Sequence, residues 1–263
     1  MATGQNIDIA APDLIAGMAK GMAVLETFDT QRQRLNATLA AEMTGLSRAA
    51  ARRHLLTLAH LGYLETDGQF YWLTPKVLRF SGSYLASARL PRSVQPVVNA
   101  LAAQTGLSFS CVVLEGREGV IVAHSAIRLE GRRQPIAYGL RLGSRLPAHA
   151  TSTGKVLLAA LGKKALKQWL QSHPLTRLTT HTITEASLFK KTIAQVQRDD
   201  YCISNQEHEL GIAALAIPLR NMPGQTLAAL NVVVDARRIT PAQLQAEVLP
   251  LMQAQALELR QLL

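Results

Sequence analysis

Between Ala37 and Leu73 the chain sets two glycines, Gly45 and Gly62, on either side of a run that carries three arginines and no acid. Ser47 is placed to cap this run, which reads as a helix to about Leu61 with Ala51, Leu55 and Leu58 on one face. Ala37–Met43 reads as a shorter helix stopped near Gly45. Beyond Gly62, two short apolar and aromatic runs flank Asp67-Gly68, which predicts a tight hairpin over Tyr63–Leu73. Upstream, Leu14, Ile15, Met18, Met22, Leu25 and Phe28 have near-helical spacing behind Asp13 as a cap, and Asp29–Asn36 is a polar connection. Three helices followed by a hairpin make a winged helix-turn-helix, assigned to residues 13–75.

The third helix has the form that a major groove admits. Arg48 and Arg52 are four residues apart and share a face, while Arg53 lies on the adjacent strip with Ala49. Ser47, Ala49 and Ala50 keep the first turn slim, and no carboxylate opposes phosphate. Arginine can bridge guanine O6 and N7 or clamp a phosphate, and both roles stay open for each of the three. A solvated basic face is the bland alternative. The short helix, the Gly45 turn and the Asp67-Gly68 wing favour double-stranded DNA as the partner.

Pro75 opens a predicted linker helix, assigned to residues 76–91, with Pro91 and Pro96 marking a domain boundary. Residues 92–263 mix helices with strands. Helices are expected at Val94–Gln104, Ser152–Leu161, Ala165–Gln171 and Leu188–Arg198, with a long terminal helix Pro241–Leu262 capped by Thr240. Strands are expected at Ser108–Leu114, Val120–Ser125, Gln134–Gly139, Tyr201–Gln206, Ala213–Leu219 and Thr226–Val234. Neighbouring hairpin strands imply an antiparallel sheet with flanking helices, so the chain as a whole is of the α+β class.

Composition narrows the chemistry. The chain has 263 residues, 48% of them hydrophobic, enough for a sizeable core. Two cysteines, Cys111 and Cys202, cannot build a disulfide framework and suit a reducing compartment. The first dozen residues lack a signal-peptide pattern and no apolar run approaches a membrane span, so a soluble cytoplasmic protein without a membrane partner is expected. The net charge of +10 is uneven: +1 over residues 1–80 and +9 over 81–263. That excess suits an anionic small molecule, added DNA contact, or a solvated surface.

Enzyme and metal signatures fail. Thr153-Gly-Lys155 lacks the glycine at 149 and the Ser or Thr at 156 that a phosphate loop needs. Cys202, His208, His173 and His181 have no zinc-type spacing, so no metal or cofactor is expected, and His208 between Glu207 and Glu209 reads as a surface or core-edge residue. Cys111 sits in a predicted buried strand, and no Gly-x-Ser-x-Gly elbow exists. The stretch Ala150-Thr-Ser-Thr-Gly-Lys155 leads into an apolar helix whose start offers hydroxyls, N–H groups and a positive dipole end. It suits a carboxylate, or is an ordinary cap. Arg128, Arg132, Arg133, Arg141 and Arg145 precede it; Arg133 is the candidate partner for a ligand carboxylate and the others read as solvated.

Leu46-Ser-Arg-Ala-Ala-Ala-Arg-Arg-His-Leu-Leu-Thr-Leu58 with Leu61-Gly-Tyr-Leu64 resembles the recognition helix and wing of the IclR family of bacterial transcriptional regulators. Arg145-Leu-Pro-Ala-His-Ala-Thr-Ser-Thr-Gly-Lys-Val-Leu-Leu-Ala159, Glu207-His-Glu-Leu-Gly-Ile-Ala-Ala-Leu-Ala-Ile-Pro218 and Ala228-Ala-Leu-Asn-Val232 resemble three blocks of its effector domain. Gly143–Lys155 and the Leu-Asn-Val block look most like the group that regulates aromatic-acid catabolism of the β-ketoadipate type. His149-Ala150 and Thr153 depart from that group's usual residues.

The resemblance implies a linker helix and a GAF-like effector domain with a ligand cavity. It also implies a homodimer or homotetramer matched to a palindromic operator, with RNA polymerase as a partner if the protein activates. Carried over by motif, the cavity takes Thr151, Ser152, Thr153 and Gly154 from the first block. The second block supplies Ser204, Ile212, Ala214 and Ala216, the third Asn231 and Val233, and Leu146 closes a wall. The expected ligand is a small carboxylate, aromatic by the group likeness. The rival reading is an enzyme acting on a small acid, for which no catalytic pair is visible.

Overall fold

The computed structural model describes residues 9–29, 32–125 and 140–263. The chain divides between Ala86 and Ser87 into two compact units.

The N-terminal unit holds α1 (Ala16–Leu25), α2 (Ala37–Thr44), α3 (Arg48–His60) and a hairpin of β1 (Leu64–Thr66) and β2 (Tyr71–Leu73). Its core is Val24, Leu35, Ala40, Ala51, Leu55, Leu58, Leu64 and Tyr71, contributed by every one of these elements. Helix α2 starts on the Asn36 side chain, which accepts from the N–H groups of Thr38 and Leu39, and ends at Gly45 with φ +70°. Helix α3 starts on Ser47, whose side chain accepts from the Ala50 N–H. It ends in a Schellman turn: Tyr63 N–H donates to Leu58 O and Gly62 N–H to Ala59 O.

Two expectations change here. Helix α1 begins at Ala16 with Ile15 ahead of it, and Asp13 does not cap it but lies in a separate 3-10 turn, Ala11–Asp13. The polar connection Asp29–Asn36 also hides a core residue. Leu35 is fully buried and exchanges two backbone hydrogen bonds with Tyr71, at 3.0 and 2.8 Å, adding a third edge to the wing. The wing loop spans Asp67 to Phe70, and the Asp67 carboxylate accepts from the N–H groups of Phe70 and Gln69. Those bonds hold its pKa below the ordinary value. A 3-10 turn, Pro75–Val77, leads into α4 (Leu78–Ser87).

The C-terminal unit opens with α5 (Arg89–Thr105), which closes at Gly106 with φ +71°. Pro91 and Pro96, expected at a boundary, both lie inside α5. Pro91 occupies the third position, where no intrahelical carbonyl awaits an N–H, and Pro96 lies on the exposed face where water can reach the forfeited carbonyl. The chain breaks instead at Ala88, which is extended.

Among the described residues six strands follow: β3 (Ser108–Glu115), β4 (Glu118–His124), β5 (Arg145–Pro147), β6 (Cys202–Asn205), β7 (Ile212–Arg220) and β8 (Thr226–Asp235). They form one antiparallel sheet in the order β5-β4-β3-β8-β7-β6. Period-two alternation sends Phe109, Cys111, Leu215, Leu230 and Val232 to one face, under Val94, Val98 and Leu101 of α5 and Met252 of the terminal helix. The other face carries Val112, Ile121, Ala216 and Ala229 against Val156 and Leu157 of α6 (Ser152–Ala159). Helices α7 (Lys163–Ser172) and α8 (Ala186–Asp199) pack Trp169, Phe189 and Ile193 around Leu158 on the outer side of α6.

The terminal helix runs as α9 (Pro241–Gln243), a π turn (Leu244–Val248) and α10 (Leu249–Leu259). Thr240 and Gln243 form a capping box. Pro250 has no N–H for the helical ladder, which accounts for the π turn just ahead of it. Strand β5 is not among the expected strands, and the strand expected at Gln134–Gly139 lies outside the described residues. The α+β architecture stands.

Candidate functional site

Helix α3 buries Ala51, Leu55 and Leu58 and turns the opposite face outward. Ser47, Arg48, Ala49, Arg52 and Arg53 are exposed and Ala50 is half-buried. None of the three arginines is in an ion pair among the described residues. The result is a slim, basic face flanked by the wing. At the wing, Arg34 lies over the Trp72 ring at 4.6 Å and pairs with Asp67 at 2.6 Å.

In the C-terminal unit, the start of α6 meets the ends of β6, β7 and β8 and leaves a cavity of about 520 Å³ counting its open mouth. Thr151 is the N-cap of α6, accepting from the Gly154 N–H at 3.2 Å. The N–H groups of Ser152 and Thr153, in the first turn, have no intrahelical acceptor. On the sheet side Ser204 stands opposite Ala214, and Ala214 opposite Val233, so three adjacent strands present one row to the cavity.

Nine of the residues singled out from the sequence line this cavity: Leu146, Thr151, Ser152, Thr153, Ser204, Ile212, Ala214, Asn231 and Val233. Three do not. Ala216 is one step farther along β7, opposite Asn231, and is sealed among Val156, Cys202 and Ala229. Gly154 lies beneath the cap: a Cβ there would stand 2.1 Å from Ala148 O, so it permits the close approach of the Ala148–Ala150 turn and lines nothing. Arg133 lies outside the described residues, as do Arg128 and Arg132. Arg145 is held by Glu118 at 2.9 Å and Glu115 at 3.1 Å.

The sequence reading missed Leu140, Ala150, Glu207, His208 and Glu209, all of which line the cavity. His208, expected at a surface or core edge, is half-buried, and burial lowers its pKa against the pull of Glu209. Glu207 is the larger omission. Lys155, 1% exposed in the middle of an apolar helix, donates to Glu207 Oε1 in a buried ion pair. A lysine buried among Val156, Leu157 and Leu158 requires an acid partner, and that signal was present in the sequence.

Among the described residues two buried polar atoms of the lining are unpartnered. At the start of α6, Ser152 Oγ is buried and has no hydrogen-bond partner among the described residues. At the turn after β6, Glu207 Oε2 is likewise buried and unpaired. In the same lining Asn231 Oδ1 accepts from Ser110 Oγ, which commits the carbonyl and leaves the amide N–H groups over. Leu140, Leu146, Ile212 and Val233 supply the apolar walls. Such a cavity suits a small, largely apolar molecule that carries polar groups. Among the described residues no group of three or more His, Cys, Asp or Glu is placed to hold a metal ion, and no helix is long and apolar enough to cross a membrane.

Comparison with known proteins agrees with both halves. Residues 17–68 match the IclR helix-turn-helix domain, and residues 82–261 match the C-terminal domain of bacterial IclR transcriptional regulators. The p-hydroxybenzoate hydroxylase transcriptional activator of Acinetobacter baylyi is 51% identical over 255 residues, covering 97% of this chain and 94% of that protein. The Pca operon regulatory protein of the same organism is 50% identical over 251 residues, covering 95% and 90%. A crystal structure of the PobR inducer-binding domain from Acinetobacter, a double mutant in complex with 3-hydroxybenzoic acid, is 46% identical with a TM-score of 0.63, covering 66% of this chain and 98% of that one. The chain belongs to the IclR family of bacterial transcriptional regulators.

Proposed function

We propose that the protein regulates genes of aromatic-acid catabolism, binding operator DNA through α3 and a hydroxybenzoate-type acid in the cavity at the start of α6. The observation that carries the reading is Ser152, buried and unpartnered beside the first N–H groups of an apolar helix, in a cavity with apolar walls. A carboxylate accepts from those donors at the positive end of the helix dipole, and a ring packs against the apolar walls. The two relatives named for the Pca operon and for p-hydroxybenzoate hydroxylase, and the 3-hydroxybenzoic acid complex, support the same ligand class.

Arg48, Arg52 and Arg53 make the DNA contacts, with Ser47, Ala49 and Ala50 allowing the approach. A homodimer or homotetramer in the cytoplasm presents two such helices to a palindromic operator, and RNA polymerase is the further partner if the protein activates. The ligand acts by binding one arrangement of the DNA-binding units more tightly than another.

A thermal-shift screen against 3- and 4-hydroxybenzoate, protocatechuate and non-aromatic acids tests the reading. A true effector at a hundred times its Kd stabilises the protein by about 2.7 kcal/mol. The same acid then changes operator affinity. A panel that leaves the melting temperature unmoved removes the ligand assignment.

A further inference from the structure

Glu207 is held more firmly than a pocket-lining side chain needs to be. Its backbone carbonyl accepts from Thr182 Oγ1 at 2.7 Å, and the carbonyl of Gln206 accepts from Thr179 Oγ1 at 2.7 Å. Gln206 itself adopts a left-handed φ of +59°. The side chain is equally fixed. Oε1 takes a hydrogen bond from Lys155 Nζ and another from Ser204 Oγ at 3.2 Å. All three residues are more than nine-tenths buried. Oε2 is left with no partner among the described residues, in a residue that lines the cavity.

A carboxylate oxygen can only accept. A buried, unsatisfied charged acceptor is costly, and a group from the ligand that donates removes the cost. We infer that Glu207 is the specificity-determining acceptor for a ring hydroxyl on the effector, a role that rests on the cavity being the effector site. Lys155 balances the charge of Glu207, so Oε2 accepts from a neutral O–H, whereas a second carboxylate has no proton to donate and leaves it unpaired. The O–H to carboxylate bond is charge-assisted, which makes it one of the stronger contacts available in the cavity. Hydrogen, fluorine and methoxy substituents cannot donate and leave Oε2 unpaired. Lys155 is also the fourth residue of α6, whose first turn is the proposed carboxylate site. One helix thereby serves both polar groups of the ligand: its start offers donors to the carboxylate, and its lysine holds the group that reads the hydroxyl.

The test measures Kd by calorimetry on the full-length protein for 3- and 4-hydroxybenzoate, benzoate and 4-fluorobenzoate. The fluoro acid keeps size and removes the donor. At least one hydroxybenzoate is expected to bind ten-fold or more tightly than both unhydroxylated acids. In Lys155→Met/Glu207→Leu, which removes both charges together, the preference is expected to fall within three-fold. Equal binding of hydroxylated and unhydroxylated acids to the native protein overturns the inference and leaves the effector-site reading intact. A preference retained in the double variant overturns it as well. If none of the four acids binds the native protein, the effector-site reading fails and takes this inference with it. The native panel decides the matter without the variant should the variant not fold.

Discussion

A Cβ on Gly154 would lie 2.1 Å from the carbonyl oxygen of Ala148 and 2.2 Å from its Cα. Both neighbours are backbone, so neither can swing aside. This contact presses the Ala148–Ala150 turn against α6 and sets where Thr151 and Ser152 stand at the cavity. Gly154→Ala must push the turn off the helix. Overpacking of this kind costs about 1–3 kcal/mol, and backbone obstacles put it at the upper end. The C-terminal unit is expected to melt several degrees lower and to lose most of its effector affinity. Thermal unfolding and calorimetry on the same variant check both, and unchanged ligand binding would show that the turn does not position the site.

Arg53→Ala, Arg52→Ala and Arg48→Ala separate the two jobs that an arginine does on DNA. Loss of a phosphate clamp weakens binding to all sequences and lowers the salt slope by about 0.9 per contact. Loss of a bidentate base contact costs about 1–3 kcal/mol and relaxes preference at one base pair. All three side chains are exposed on α3, so folding is expected to be unchanged. Operator titrations at several salt concentrations, against cognate and scrambled duplexes, assign each arginine. A variant that binds both duplexes like the parent excludes its arginine from the interface.

Much of this architecture was legible where the signal is local. Gly45 ends α2, and Ser47 and Gly62 bound α3, because a cap or a left-handed glycine acts within one turn of the helix it starts or ends. Strands β7 and β8 were legible because alternate residues face two buried layers. What escaped depends on partners far along the chain. Leu35 looks like part of a polar connection until Tyr71, thirty-six residues on, pairs with it. Strand β5 has three residues and exists only because β4 offers it an edge. Ala214 and Ala216 are equivalent by period, and only the position of α6 decides that one lines the cavity and the other is sealed beneath it.

The two thiols report on the integrity of the sheet. Burial pushes the Cys111 pKa up from 9.0 to about 12 and that of Cys202 to about 11. Both stay protonated in the folded chain at pH 8, and a protonated thiol is a poor nucleophile. Neither is expected to react with a thiol reagent until denaturant is added, when both should. Because the folded pKa values are raised, their stabilising effect is intact below about pH 9 and is lost as pH climbs through about 11 to 12. Chemical denaturation at pH 8 and pH 10 should show the C-terminal unit weaker at the higher pH. Rapid labelling of either cysteine in the native protein would contradict the burial.

Lys155 and Glu207 stand fifty-two residues apart and are joined in the interior. Removing one partner leaves the other charged in a site that excludes water, which typically costs about 3–5 kcal/mol. Lys155→Met alone is therefore expected to be severely destabilising. Replacing the pair together is a different experiment, since no lone charge remains and apolar side chains of similar size can fill the space. Lys155→Met/Glu207→Leu should fold with a stability close to the parent, giving a coupling of several kcal/mol between the two positions. Denaturation curves for the parent, both single variants and the double variant measure it. Additive losses would mean that the pair is held apart by solvent and that Lys155 stabilises α6 by packing alone.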